Sequence, residues 1–207
     1  MNLIALIGDI VKSREINDRN KFQKKFQSQL QKLNTENPRL LSPYTLTLGD
    51  EFQAVYGKAD GLFNNIWQLM IALYPQKVRF ALGIGELTTP INPERAIGMD
   101  GPAFHYARSG ISELKKTSYV IKINGEAVPH LNLLNNTLYL ISQISDSWSL
   151  NRFQVMRGLL NGWSRNKIAQ SLNISTVAVY KNIKAGSLDI IIDLLREIGS
   201  DLNEALG

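Results

Sequence analysis

Six hydrophobic segments with two different periods follow one another before Gly85, and their order leaves few possible folds. The strand-like runs are Leu3–Ile7, two runs within Tyr44–Tyr56, and Val78–Ile84, and the amphipathic helical runs are Asp18 to about Leu33 and Asp60 to about Leu73. The order β-α-β-β-α-β predicts a ferredoxin-like α+β domain built on a split βαβ unit. Asn34–Pro43 carries two prolines and is expected to be a loop.

Two aspartates lie where this topology brings different parts of the chain together. Asp9 follows the first strand, and Asp50 lies in the turn Gly49-Asp50 between the second and third strands. The first strand pairs antiparallel with the third in a split βαβ sheet, so we expect both carboxylates at one rim. Carboxylate oxygens suit hard cations, so these residues predict a site for Mg²⁺ or Mn²⁺. The alternative is that both residues only terminate strands, as Asp and Gly often do.

The residues beside these aspartates are typical of a phosphate site. The segment from Ile10 to Arg14 offers backbone amides together with the side chains of Lys12, Ser13 and Arg14. Gly49 lets a ligand approach the backbone of the turn. Together they predict a nucleotide or another phosphorylated small molecule as the ligand.

Four other polar residues near these segments are weaker candidates. Glu51 follows the turn and is either a third acidic ligand or points to the opposite face of its strand. Asp100 either approaches the site or is a turn residue. His105 and His130 have no acidic partners at metal-ligand spacing, so we expect neither to bind a metal.

The middle of the chain predicts further structure around this domain. A loop over Leu87–Pro102 precedes a helix from about Ala103 to Lys116, a strand over Tyr119–Ile123 and a helical segment over Val128–Trp148. A boundary near Ser145–Leu150 divides the chain into domains 1–146 and 147–207.

The last quarter of the chain predicts an all-α helix-turn-helix domain. Helices are expected over Asn151–Asn161, Ser164–Leu172, Ser175–Ala185 and Leu188–Ile198, and Asn173 can take the left-handed conformation of a turn. Small Ala169 allows a close helix crossing. The pattern Ile168-Ala169-x-x-Leu172-x-Ile174-Ser175-x-x-Ala178-Val179-x3-Ile183 resembles the helix-turn-helix of LuxR-type regulators and of sigma-factor region four.

The composition of this part favours DNA as its partner. Every ionisable residue between Arg152 and Lys184 is basic, as expected for a surface that contacts phosphates. The positions expected to face base edges and phosphates are Ser175, Thr176, Tyr180, Lys181 and Lys184. The alternative is a small helical bundle for protein contacts.

Three motifs in the first 116 residues resemble those of the SatD family. They are Gly8-Asp9-Ile10-Val11-Lys12-Ser13-Arg14, Leu48-Gly49-Asp50-Glu51-Phe52-Gln53 and Gly98-Met99-Asp100-Gly101-Pro102-Ala103-Phe104-His105-Tyr106-Ala107-Arg108. The family is similar at a distance to class III nucleotide cyclases and to diguanylate cyclases. This resemblance implies that Asp9 and Asp50 hold metal, that the Ile10 carbonyl assists, and that Arg108 contacts phosphate.

The sequence also departs from the cyclase pattern in three places. Phe104 stands where cyclases have an Asn, Leu46 where adenylyl cyclases have the Lys that reads the base, and Leu48 where diguanylate cyclases have Gly. The groups that select a base and stabilise the transition state are therefore not matched. Binding or signalling is favoured over cyclisation, and catalysis stays open.

Composition excludes several classes of protein. The chain has no cysteine, so it has no disulfide, thiolate metal site or cysteine nucleophile, which fits a cytoplasmic location. No segment is apolar over the roughly 20 residues of a membrane span. A net charge of +5 fits a polyanionic partner.

These observations predict a regulator that couples a metal- and nucleotide-binding domain to a DNA-binding helix-turn-helix. Dimerisation would supply two DNA half-sites, so a homodimer is expected. One alternative is an active nucleotidyl cyclase or related phosphotransferase that its C-terminal domain regulates. Another is a dimerising scaffold that binds no ligand.

Overall fold

The computed structural model describes residues 1–37, 40–47 and 49–207. In these ranges the chain is a mixed α+β structure with five strands and eight α-helices. The strands are β1 (Leu3–Ile10), β2 (Leu40–Leu46), β3 (Glu51–Tyr56), β4 (Val78–Gly85) and β5 (Ile121–Asn124). The helices are α1 (Arg19–Glu36), α2 (Leu62–Leu73), α3 (Pro102–Leu114), α4 (Leu131–Ser145), α5 (Leu150–Leu160), α6 (Arg165–Leu172), α7 (Thr176–Gly186) and α8 (Leu188–Leu206). Leu48, one of the three departures from the cyclase pattern, lies outside the described residues.

The strands form one sheet in the order β2-β3-β1-β4-β5. β1 is central and pairs antiparallel with β3 on one side and with β4 on the other. β5 pairs parallel with β4 at one edge of the sheet. The antiparallel pairing of β1 with β3, which the order of segments predicts, is therefore present. It brings the end of β1 beside the turn between β2 and β3.

Both faces of the sheet are covered, and the sequence of β1 shows why. All of its residues are buried, and successive side chains point to opposite faces. Ile4 and Leu6 enter a core with α1, α2 and the C-terminal helices, whereas Ala5 and Ile7 enter a second core with α3. Asp9 has the same parity as Ala5 and Ile7, so its side chain lies on the α3 face of the sheet.

The end of β1 differs from the expectation. The strand continues to Ile10 rather than ending at Ile7, so Asp9 lies within it. The physical reason is that Asp9 is paired on both sides, opposite Glu51 of β3 and opposite Arg79 of β4.

The segment Asn34–Pro43, expected to be a loop, instead contains the end of α1 and the start of β2. β2 is an edge strand, and its register along β3 shifts between Leu40 and Ser42 and again between Ser42 and Thr45. Pro43 lies within the second irregularity. Proline is tolerated in an edge strand at such a position because its missing N–H interrupts no regular pairing.

The C-terminal helices pack directly on the part that contains the sheet. Trp148, between α4 and α5, stacks on Trp67 of α2 with 5.7 Å between ring centroids, and Phe153 of α5 lies 5.6 Å from the same Trp67 ring. α8 ends at Leu206 rather than near Ile198, because its last turns are also apolar and buried. One continuous apolar cluster joins both parts of the chain. The division into domains 1–146 and 147–207 stays a prediction.

Candidate functional site

Asp9 lies in a buried ion cluster at the end of β1. The residue is 6% exposed. Its Oδ2 accepts a hydrogen bond from Arg79 Nη1 at 3.1 Å, and its Oδ1 lies 3.2 Å from Lys115 Nζ. Arg79 comes from the neighbouring strand β4, and Lys115 directly follows α3. Each carboxylate oxygen is therefore paired with a cationic side chain. Such charged contacts are about twice as strong as neutral hydrogen bonds.

The two cations of this cluster differ in their exposure. The Arg79 side chain is 15% exposed, whereas the Lys115 side chain is 48% exposed. Arg79 is thus a fixed partner of Asp9, held within the sheet. Lys115 approaches from the surface and can exchange its contact for water at little cost.

Glu51 is the carboxylate that shares a face with Asp9. The two residues lie directly opposite each other in the β1–β3 register, and opposite residues of paired strands project to the same face. Glu51 is half-buried and accepts a long hydrogen bond from Gln53 Nε2 at 3.5 Å. Of the two orientations left open for Glu51, the structure has the one beside Asp9.

Asp50 has different partners from Asp9. Its Oδ2 accepts a hydrogen bond from Ser13 Oγ, and its backbone carbonyl accepts one from the Ile10 N–H at 3.3 Å. Asp50, Gly49 and Ser13 line a cavity of about 10 Å³ together with residues of α1 such as Phe26. That volume holds no more than one water molecule.

The segment expected to hold phosphate is also committed to internal contacts. Lys12 has a left-handed backbone (φ 53°) and forms an exposed ion pair with Glu15 at 3.2 Å. Ser13 is buried and bonded to Asp50. Arg14 is exposed.

Arg108 is placed on α3, apart from these residues. It is exposed and lies seven positions before Lys115, which is two helical turns or about 10 Å along the axis. Near the start of α3, the Asp100 carboxylate contacts His105 Nε2 at 3.0 Å. Asp100 and Lys115, which contacts Asp9, thus lie at opposite ends of α3. His130 has a left-handed backbone (φ 49°) directly before α4.

These positions do not fit a divalent cation bound between Asp9 and Asp50. A hard cation needs free carboxylate oxygens, and both oxygens of Asp9 are already neutralised. In residues 1–37, 40–47 and 49–207, no three His, Asp or Glu side chains are grouped as metal ligands. The structure pairs Asp9 with Glu51 across the sheet and turns Asp50 towards Ser13. The expectation of Mg²⁺ or Mn²⁺ stays a prediction.

Sequence reasoning missed Arg79 and Lys115, although one signal was present. Arg79 is the only charged residue in the otherwise apolar run Val78–Ile84. A strand buried on both faces cannot hold an unpaired cation, so Arg79 required an acidic partner. Lys115, beyond the end of a helix, gave no comparable signal.

A second candidate site lies on α6 and α7. Ser164 caps α6 by accepting a hydrogen bond from the Lys167 N–H at 3.2 Å, and Ser175 caps α7 by accepting one from the Ala178 N–H at 3.1 Å. Asn173 joins the helices in the left-handed conformation, with φ 51° and ψ 47°. The left-handed conformation expected at Asn173 is therefore present, and each helix begins at a serine cap.

The two helices are held against α5 by a small apolar core. Ile168 and Val179 are fully buried in it, with Ile183 close beside them. Gly158 of α5 allows this approach, because a Cβ atom there would lie 2.6 Å from Ile168 Cγ1. The packing leaves one side of α7 facing solvent.

That outward side carries most of the positions expected to contact DNA. Ser175, Lys181 and Lys184 are exposed, Tyr180 is 56% exposed, and Thr176 is half-buried with its hydroxyl 3.4 Å from Asn166 Oδ1. Val177 also faces outward and is 64% exposed. Its apolar side chain is a surface feature that the charge pattern did not reveal.

The basic residues around α7 are not all equivalent. Lys167 Nζ lies 4.6 Å from the centre of the Trp163 ring. Arg165 is 3.6 Å from Asp189 of α8, an acidic residue just beyond the basic segment. Lys181 and Lys184 are thus the cations of α7 most available to a partner.

The fold and these two sites define an α+β protein with a five-stranded sheet and a C-terminal group of helices. Among the described residues, no helix is long and apolar enough to cross a bilayer. The chain belongs to the SatD family, whose sequence profile matches residues 3–201. The identification from the three motifs is therefore confirmed.

Two further comparisons give no information on function. No curated protein sequence matches the chain. Among solved structures, it is similar to a chain described as "Structure of a bacterial light-regulated adenylyl cyclase", with a TM-score of 0.43 and 12% sequence identity. That match covers 59% of this chain and 74% of the other.

Proposed function

We propose that this SatD-family protein binds duplex DNA through α6 and α7, which act as a helix-turn-helix with α7 in the major groove. The observation that carries the proposal is the outward side of α7. It presents Lys181, Lys184, Tyr180 and Val177 to solvent on a helix whose opposite side is anchored in a core. The major groove of B-DNA is about 12 Å wide and admits one such helix.

The charge around α7 supports a nucleic acid over a protein partner. Residues 150–186 contain six basic residues and no acidic one. Phosphate contacts dominate the affinity of proteins for DNA, so a surface of one sign suits this partner. Protein interfaces usually have few lysines at their centre. A helical bundle that binds proteins would therefore not be expected to carry a surface of basic residues alone.

The exposed side chains of α7 also divide into the two roles that DNA recognition needs. Lys181 and Lys184 would contact phosphates, which set affinity and register. Val177 and Tyr180 would face base edges, where an apolar group can contact the methyl group of thymine. Ser175 and Thr176 lie at the N-terminus of α7, where backbone N–H groups favour a phosphate.

We propose a ferredoxin-like arrangement for the first part of the chain, which the strand order β4-β1-β3-β2 supports. Support for a nucleotide or phosphorylated ligand there is weaker, because Asp9, Lys12, Ser13 and Asp50 all contact other side chains of the chain. The same contacts give no support to a cyclase or phosphotransferase reaction. We therefore propose that this part of the chain holds the C-terminal helices, including α7, in place. The stacking of Trp67 on Trp148 is one of the contacts that would do so.

The test measures binding of the full chain to a duplex of mixed sequence by fluorescence anisotropy, over a series of salt concentrations. The variant Lys181→Ala/Lys184→Ala should bind at least about tenfold more weakly, and its plot of log K against log salt should be flatter by about two. The control is Lys24→Ala/Lys25→Ala, which removes the same charge from exposed positions of α1. Equal losses in both variants would mean that only net charge matters, and the absence of binding at about 50 mM salt would refute the proposal.

A further inference from the structure

The helix α4 covers the β5 edge of the sheet. Its Asn135 side chain accepts a hydrogen bond from the Ile123 N–H at 2.9 Å and donates one to the Ile123 carbonyl at 2.8 Å. Both backbone groups that β5 would offer to another strand at this point are thereby satisfied. Leu134 and Leu138 pack inward on the same side. The inner side of α4 is therefore fixed by the sheet.

The outer side of α4 carries a second apolar stripe. Leu133 is 65% exposed and Leu140 is 59% exposed, and both face away from the sheet. Thr137, which is half-buried, lies between them, whereas Ile144 packs against the main core. The spacings of four and three residues are those of the seam of a coiled coil.

No charged residue interrupts α4. Its sequence LNLLNNTLYLISQIS contains neither an acid nor a base. A helix on a protein surface normally has charged or polar residues opposite its buried stripe. The flanks of the outer stripe carry Asn136 and Gln143, which are polar but uncharged. This face has the composition of a contact surface.

We propose that the outer stripe of α4, formed by Leu133, Thr137 and Leu140, is the contact between two copies of this chain in a homodimer. A stripe without charges meets no repulsion when it pairs with itself. An antiparallel two-fold pairing places Leu133 of one copy opposite Leu140 of the second, so the exposed leucines cover each other. A shallow, open cavity lined by His130, Leu131, Asn132 and Leu133 lies beside the place that Leu140 of the second copy would take.

The exposed apolar residues of α8 do not offer the same contact. Ile190 is 63% exposed, but Asp189, Asp193 and Glu197 lie on the exposed surface of the same helix. Two copies meeting there would take charged residues, among them Asp193 and its partner Arg196, out of water. A membrane surface also fits α4 poorly, because helices that lie on membranes carry lysine and arginine on their polar face.

One helix pair buries less area than the standard interface of about 1,600 Å², so we expect a dimer that dissociates in the micromolar range. Sedimentation velocity of the full chain without DNA measures this constant. Leu140→Glu should weaken the dimer at least about tenfold, because the new carboxylate would be buried against the second copy. Ile190→Glu adds the same charge at an equally exposed position of α8 and should leave the dimer unchanged. Circular dichroism of both variants should match that of the natural chain.

Disulfide crosslinking gives a second, directional test, since the chain has no cysteine of its own. In the antiparallel pairing the two copies of Thr137 are offset by only about 1.5 Å along the helix axis, so Thr137→Cys should crosslink on oxidation. Gln143→Cys should not, because its equivalents would be about 20 Å apart along the axis. A natural chain that is monomeric at about 100 μM, a dimer that Leu140→Glu leaves intact, or crosslinking of Gln143→Cys alone would overturn the proposal.

The dimer and the DNA proposal can fail separately. The two measurements above contain no DNA, and the salt series on Lys181 and Lys184 does not require a dimer. If both proposals hold, two copies joined through α4 carry two α7 helices for two half-sites.

Discussion

The end of β1 and the outer side of α7 both contain charged residues, but they use them differently. Asp9 has its two oxygens neutralised by Arg79 and Lys115, within a site that is largely closed to water. Lys181 and Lys184 face solvent and have no acidic partner in the described part of the chain. The first region satisfies its charges internally, and the second leaves them available.

This difference follows from burial. A charge that leaves water loses several kcal/mol of solvation, so a buried carboxylate must find cations within the protein. An exposed lysine keeps its water and needs no partner until a polyanion releases counterions around it. Two aspartates at one rim therefore need not form a ligand site, whereas an unpaired basic stripe on an anchored helix has few structural uses.

The largest expected effect is at Asp9. Asp9→Asn leaves the buried guanidinium of Arg79 without its counterion, and should lower the free energy of unfolding by about 2–4 kcal/mol in urea titrations. Asp193→Asn is the control, because its ion pair with Arg196 is exposed and should change stability by about 0.5 kcal/mol or less. A carboxylate kept free for a ligand would behave in the opposite way. Its removal would leave stability unchanged or raise it, and that result would end the contrast between the two regions.

The next effect separates two roles of Ser175. Its side chain caps α7, so Ser175→Ala should cost about 1 kcal/mol of stability, whereas Ser175→Asp keeps an acceptor for the Ala178 N–H and should cost nothing. For DNA binding, the order of the two variants reverses. Ser175→Asp places a negative charge against phosphate and should weaken DNA binding about tenfold, more than Ser175→Ala does. If both variants bind DNA as the natural chain does, the N-terminus of α7 does not face the duplex.

Local features could be predicted from the sequence, and contacts between distant segments could not. The cap Ser164 and the left-handed Asn173 depend on neighbouring residues, and both are present. The pairing of β1 with β3 follows from the order of hydrophobic periods. The partners of Asp9 depend instead on register across β4 and on where the chain leaves α3. Neither has a local signal.

The position of Asp9 also shows how a small error moves a site. Ending β1 at Ile7 placed Asp9 in a loop, free to turn towards Asp50. In the observed strand, alternation fixes its side chain on the α3 face beside Glu51, while Asp50 stays in the turn. A difference of three residues therefore replaces one carboxylate pair with another.

The smallest expected effect lies at Lys115. This residue belongs to the ion cluster of Asp9 but is partly exposed, like the lysines of α7. Its side chain is about half exposed, so Lys115→Met should cost about 1 kcal/mol or less, well below the effect of Asp9→Asn. The change also frees Asp9 Oδ1 on the face that carries Glu51. We therefore expect millimolar Mn²⁺ to raise the melting temperature of Lys115→Met by a few degrees while leaving that of the natural chain unchanged. Adding Asp9→Asn should remove the shift. A shift of equal size in the natural chain would show that Lys115 does not exclude a cation from this rim of the sheet. The contrast between the closed ion cluster of Asp9 and the open basic surface of α7 would then be wrong.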